Sequence, residues 1–106
     1  MKKDLNSYIL TREELRIMNI IWKDKEVTVR DVRDAMARKK QAAYTTIQTH
    51  MQILERKGVL SRRKIGRSYL YSPVFSRGQA LRNQVNDLLQ RFFDGKPESL
   101  IKTVLG

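Results

Sequence analysis

The chain has no cysteine, one histidine and one tryptophan in 106 residues. The absence of thiols excludes disulfides, thiol nucleophiles and thiolate metal centres, and it agrees with a reducing compartment. His50 alone offers little to a metal ion, so neither a metal site nor any other cofactor is expected. Only 2 prolines and 5 glycines are present, which excludes a linker-rich or low-complexity chain. No apolar run approaches the ~18 to 20 residues of a membrane span, and the opening MKKDLNSYIL lacks the apolar core of a secretory leader. A cytoplasmic protein without a membrane partner is expected. Paired nucleophiles and phosphate-binding loops are missing too. Glu13 and Glu14 read as first-turn charges that complement a helix dipole, not as an acid/base pair, so no enzyme is expected.

Negative charge is the scarcest feature of the middle of the chain. Between Arg38 and Arg67 stand Arg38, Lys39, Lys40, Arg56, Lys57, Arg62, Arg63, Lys64 and Arg67 against Glu55 alone, nine cations to one anion and a net +8 of the formal +11. Residues 1–37 hold eight basic and seven acidic side chains, and beyond Ser76 the balance is again near neutral. A polyanion-binding surface is therefore local.

What is present is a succession of punctuated helices. Thr11-Arg-Glu-Glu14 has the form of an N-cap with acidic residues in the first turn, and Leu15, Met18 and Trp22 follow as one apolar face. This predicts a first helix from Arg12 to about Lys23. Thr28-Val-Arg-Asp31 repeats the start signal, with Val32, Ala35 and Met36 directed inward before the basic run at 38–40. A third helix, AYTTIQTHMQILERKG, buries Ile47, Met51 and Leu54 and closes at Gly58. Its opposite side carries Thr45, Thr49, Gln52 and Arg56, flanked by Thr46 and Gln48. Threonine is a poor helix former because its branched side chain is stiff against the preceding turn, so this face suits a surface that meets something other than water.

VLSRRKIGRSYLYSP then changes period. Leu60, Arg62 and Lys64 alternate with Ser61, Arg63 and Ile65, and Gly66-Arg67 precedes Ser-Tyr-Leu-Tyr. Two short strands around a basic turn are expected, the second ending at Pro73. Tyr69 and Tyr71 share one face of it, which favours packing. Leu81, Val85, Leu88 and Phe92, widened by Leu89 and Phe93, form the stripe of a further helix stopped by Gly95; Pro97 opens a last one bearing Leu100, Ile101, Val104 and Leu105.

Three helices and a hairpin, in that order, are the layout of a winged helix-turn-helix, whose third helix enters the major groove of DNA. The expected fold is mainly α with a small antiparallel β-hairpin. Residues 1–75 form the DNA-binding domain and 76–106 the helical dimerisation region. Thr45, Thr46, Gln48, Thr49 and Gln52 are the candidate base readers, since hydroxyls and amides hydrogen-bond base edges and the threonine methyl fits against thymine. Lys39, Lys40, Tyr44, Arg56, Arg62, Arg63, Lys64, Arg67 and Tyr69 are candidates for the DNA backbone and the wing. The C-terminal stripe is assigned to a homodimer interface; packing back on the helical core is the other reading.

TREELRIMNIIW, TVRDV, AYTTIQTHMQILERKGVL and GRSYLYSP resemble the penicillinase-repressor family in order and spacing, over roughly residues 10–75. The block AYTTIQT followed by LERKG and the GR-x-x-x-Y wing carries most of the specificity. The resemblance implies a winged-helix repressor that binds a dyad operator as a homodimer, with Thr46, Gln48 and Thr49 carried over as base readers and Gly66-Arg67 as the wing tip. The family includes repressors of β-lactamase and methicillin-resistance genes and a copper-responsive branch. That branch has a C-terminal cysteine cluster, which this chain lacks. In the resistance branch release involves proteolysis in the C-terminal region, which implies an unidentified sensor or protease, although nothing in SLIKTVLG marks a scissile bond. Members commonly continue through another helix, so a smaller or differently completed dimer is expected. A sequence-neutral architectural or RNA-binding module, and a winged helix that meets an acidic protein, remain the alternatives.

Overall fold

Five helices and one hairpin account for residues 10–36 and 43–106, the part of the chain that the computed structural model describes. They run α1 (Arg12–Asp24), α2 (Val29–Met36), α3 (Tyr44–Arg56), β1 (Leu60–Ile65), β2 (Ser68–Pro73), α4 (Arg77–Phe92) and α5 (Pro97–Leu105).

Local chemistry fixes most boundaries. The Thr11 hydroxyl accepts from the Glu14 N–H at 3.2 Å while the Glu14 carboxylate accepts from the Thr11 N–H at 2.9 Å, a reciprocal cap. Thr28 and Asp31 repeat it at 3.1 and 2.9 Å, and Ser76 with Gln79 at 3.1 and 2.9 Å. At the end of α3, Gly58 takes φ +85°, the left-handed region where a Cβ is disfavoured. Its N–H bonds the Glu55 carbonyl at 3.0 Å, and the Val59 N–H bonds the Leu54 carbonyl at 3.0 Å, the pair of bonds that satisfies terminal carbonyls in a Schellman motif. Pro97 opens α5 at its first turn.

The core joins Ile17, Met18 and Ile21 of α1, Val27, Val29 and Val32, then Ile47, Met51 and Leu54 of α3, and Val59, Leu60 and Tyr71. Here α1 departs from the expected face. Met18 is buried, but Leu15 is 41% exposed and Trp22 only partly buried. Six apolar residues in one helix offer two overlapping stripes, and packing selects 17, 18 and 21. Ala35 likewise faces outward. Trp22 packs at the edge of the core and donates its indole N–H to the Phe75 carbonyl at 2.8 Å, which ties the start of the C-terminal region to α1.

The strands pair antiparallel from Leu60↔Pro73 to Ile65↔Ser68, leaving Gly66 and Arg67 as the two turn residues. Gly66 has φ +58°, the conformation that a two-residue hairpin with glycine first requires. Val27 adds a short third rung: its N–H bonds the Tyr71 carbonyl at 3.0 Å and its carbonyl accepts from the Tyr71 N–H at 2.7 Å. That rung anchors the hairpin base against α1 and α2, and the tip projects past the core. Tyr71 is therefore buried, while Tyr69, on the same strand face but nearer the tip, is exposed.

Candidate nucleic-acid interface

Burying Ile47, Met51 and Leu54 turns the rest of α3 outward. Thr45, Thr46, Thr49 and Arg56 are exposed, and Gln48 and Gln52 are half-buried because they line a groove between α3 and the hairpin. The groove has a volume of about 530 Å³ and is walled by Tyr44, Gln48 and Gln52 on one side and Arg62, Arg67, Ser68, Tyr69 and Tyr71 on the other. Its floor is the start of α2, Thr28, Val29 and Arg30. The structure thus brings two candidate base readers together with two wing cations and both candidate aromatics. Thr45, Thr46 and Thr49 lie outside the groove on the outer side of α3. The Thr49 hydroxyl donates to the Thr45 carbonyl at 2.9 Å, leaving its lone pairs and methyl as the groups presented outward.

Arg62 is held in place from several sides. Its guanidinium lies over the Tyr69 ring, 4.2 Å from the centroid, and its Nε is 3.8 Å from the Glu55 carboxylate of α3. A hydrogen bond to the Tyr71 hydroxyl raises its pKa above the ordinary arginine value, helped by the neighbouring Tyr69 and Glu55. A guanidinium oriented this way is suited to planar hydrogen bonding with a phosphate or a base edge.

Strand alternation sends Arg63 the other way. It donates to Glu26 through Nε at 3.0 Å and through an η nitrogen at 3.3 Å. Those bonds lower the Glu26 pKa and raise that of Arg63. Arg63 therefore reaches a wall containing Asp24, Glu26, Asp31 and Asp34, not the α3 groove. Lys64 and Arg67 are exposed at the hairpin tip. Lys39 and Lys40 lie outside the described residues.

Several participants escape sequence reasoning. Arg30 of α2 and Thr28 just before that helix line the groove. Glu14 is nearly buried, its side chain 4% exposed, and accepts from the Lys57 ammonium at 3.1 Å, fastening the start of α1 to the end of α3. His50 sits at the edge of the α3 stripe, half-buried. Among the described residues no cluster of metal-ligating side chains occurs and no helix is long and apolar enough to cross a membrane.

Beyond the hairpin, apolar side chains remain outside. Leu81, Val85, Leu88, Phe92, Ile101, Val104 and Leu105 are exposed, Phe92 at 71% and Leu105 at 82%. Leu89 is already buried within the chain, and Phe93 and Leu100 are half-buried. The stripe on α4 and the outer side of α5 are thus wet in the single chain.

Helix order, hairpin and groove define a winged helix-turn-helix protein. The sequence profile of the penicillinase repressor family matches residues 10–105, and the chain belongs to that family, which is one of repressors and not of enzymes. A penicillinase repressor from Bacillus licheniformis is 28% identical over 92 residues, 87% of this chain and 72% of the relative. The transcriptional regulator BlaI of Mycobacterium tuberculosis is 30% identical over 82 residues, 76% of this chain; that stretch is 59% of the relative, so the chain spans well under two thirds of its length. Bacillus licheniformis BlaI, solved in monomeric form in complex with the blaP half-operator, is similar in structure. Its TM-score is 0.59 at 27% identity, over 74% of this chain and 93% of that one.

Proposed function

We propose that this protein represses transcription by seating α3 in the major groove of a dyad-symmetric operator as a homodimer. The observation that carries the reading is the pairing of an uncharged polar helix face with an adjacent cationic groove. Thr45, Thr46, Gln48, Thr49 and Gln52 supply hydroxyl and amide groups able to hydrogen-bond base edges. Arg62, Lys64 and Arg67, with Arg56, Tyr44 and Tyr69, meet the phosphates or the neighbouring minor groove. Arg30, at the floor of the groove, joins them. The half-operator complex of the Bacillus licheniformis BlaI supports DNA as the ligand class.

Residues 1–75 act as the DNA-binding unit and 76–106 as the dimerisation region. The exposed stripe of α4 and α5 supports the second assignment: each apolar side chain withdrawn from water contributes ~1.5 to 3 kcal/mol, a gain these residues make only against a partner. Two-fold pairing sets two α3 helices one or more turns of DNA apart. Repression is by occlusion in the cytoplasm, and a sensor or protease ends it. A competition gel with a dyad-symmetric promoter fragment, random duplex and single strand tests the reading. The promoter fragment should win by a wide margin, and equal competition by random duplex or single strand defeats it.

A further inference from the structure

A second cleft lies between α1 and the first half of α4. Its volume is about 300 Å³, and Leu10, Leu15, Trp22, Ala80 and Leu81 make it predominantly apolar. Leu15 and Leu81 are 41% and 54% exposed although they face a concavity. The remaining wall holds Arg12, Arg77, Thr11, Asn19 and Gln84, two guanidinium groups and, among the described residues, no carboxylate.

The two arginines occupy unusual places. Arg12 is the first residue of α1 and Arg77 the first of α4. Cations are disfavoured there, because the aligned peptide dipoles leave positive charge at a helix start. In α1 the acidic Glu13 and Glu14 offset this; in α4 the first turn has no acidic residue. Arg77 reaches Asn19 of α1 through Nε at 3.4 Å, so it spans the cleft mouth. Both helix starts are capped by their own side chains, so the attraction for an anion comes from the two guanidinium groups that line one apolar hollow, and the apolar wall favours an anion that also has an apolar body.

We propose that the α1–α4 cleft binds a small amphipathic anion, an aromatic or aliphatic carboxylate with its apolar part against Leu15, Trp22 and Leu81 and its charge between Arg12 and Arg77. The volume is at the lower end of the range for small-molecule sites, which limits the ligand to about one or two rings. Filling the cleft fixes α4 against α1 and so sets the angle at which a dimer presents its two α3 helices. That consequence rests on the repressor reading; the binding does not.

The full chain, isotope-labelled, is titrated with naphthoate at two chain concentrations and followed by NMR. The indole N–H of Trp22, the single tryptophan, and the amides of Leu15 and Ala80 should shift saturably, with the same affinity at both concentrations. Naphthamide should bind about tenfold more weakly, and the Arg12→Gln/Arg77→Gln double variant should bind naphthoate about tenfold more weakly, the scale of one charge-assisted contact. Both arginines are exposed, and a melting curve checks that this variant keeps its fold; Leu15→Glu, on the α1 wall and also at an exposed position, should abolish binding independently. Equal affinity for the acid and the amide, or no saturable shift, overturns the proposal. Shifts of Leu15, Ala80 and the Trp22 indole that grow with chain concentration in the absence of naphthoate identify a second copy as the occupant of the cleft and overturn it as well. A separate measurement of promoter-fragment binding distinguishes the two claims: its failure removes the repressor reading and leaves the cleft assignment standing.

Discussion

Replacing Glu26 by glutamine should tighten DNA binding and steepen its salt dependence. In the free chain the Arg63 guanidinium is held by two bonds to Glu26, at 3.0 and 3.3 Å, and is directed away from the groove that holds Arg62 and Arg67. Glutamine removes the charge that retains it and deletes a carboxylate that approaching phosphates repel. Each phosphate neutralised contributes about −0.9 to the slope of log K against log salt concentration. With one freed arginine per wing and two wings in the proposed homodimer, the slope should become more negative by about 1.8. Fluorescence anisotropy of a labelled duplex, titrated at several salt concentrations, measures both quantities, and random duplex should respond like operator because phosphates carry no sequence. An unchanged slope refutes the reasoning, and weaker binding shows that the pair instead orients the wing for contact. The same carboxylate gives a pH signature. Its pKa is lowered from the ordinary 4.5 mainly by the hydrogen bond from Arg63. Its stabilising contribution is therefore present above that value and is lost as pH falls through the lower folded one. The Glu26→Gln variant should lack that component of acid destabilisation.

Three further outcomes follow from the arrangement of the helices. Gln48→Ala or Thr49→Ala should lose ~1 to 3 kcal/mol on the preferred operator and little on random duplex, as read by parallel titrations; equal losses on both would remove base reading from α3. Phe92→Glu, at a position 71% exposed in the single chain, should shift sedimentation toward monomer at concentrations where the parent is dimeric, while its far-UV dichroism and melting of the winged unit are retained. Leu54→Ala, at a fully buried site shared by α3 and the hairpin base, should lower unfolding free energy by ~2 to 5 kcal/mol in denaturant titrations.

Local signals were the legible part. Thr11 with Glu14, Thr28 with Asp31, Gly58, the Gly66-Arg67 turn and Pro97 each act over six residues or fewer, and each appears where the chain's own chemistry places it. The stripe Ile47, Met51, Leu54 was legible for the same reason: one periodicity with no competitor. Helix α1 offers two, and only the packing of α2 and α3 against it decides that Leu15 stays outside. Long-range pairs were not legible. Glu14 reads as an ordinary first-turn charge until Lys57 arrives from 43 residues away, and the ion pair of Arg63 with Glu26, 37 residues away, is equally invisible along the chain. Tyr69 and Tyr71 share a face by strand alternation, yet only the one beside Val27 is covered. Arg30 belongs to the groove because α2 forms its floor, a fact of three dimensions that a charge count along the chain does not contain.

The central claim is that two copies of α3 read a two-fold symmetric site through Gln48 and the threonines. Selection of bound duplexes from a random pool, read out as a consensus, tests it most directly. The selected duplexes should share an inverted repeat whose half-site centres lie about one helical turn or a multiple of it apart, with information concentrated at a few base pairs in each half. A pool that yields no consensus, or a single unrepeated half-site, contradicts it.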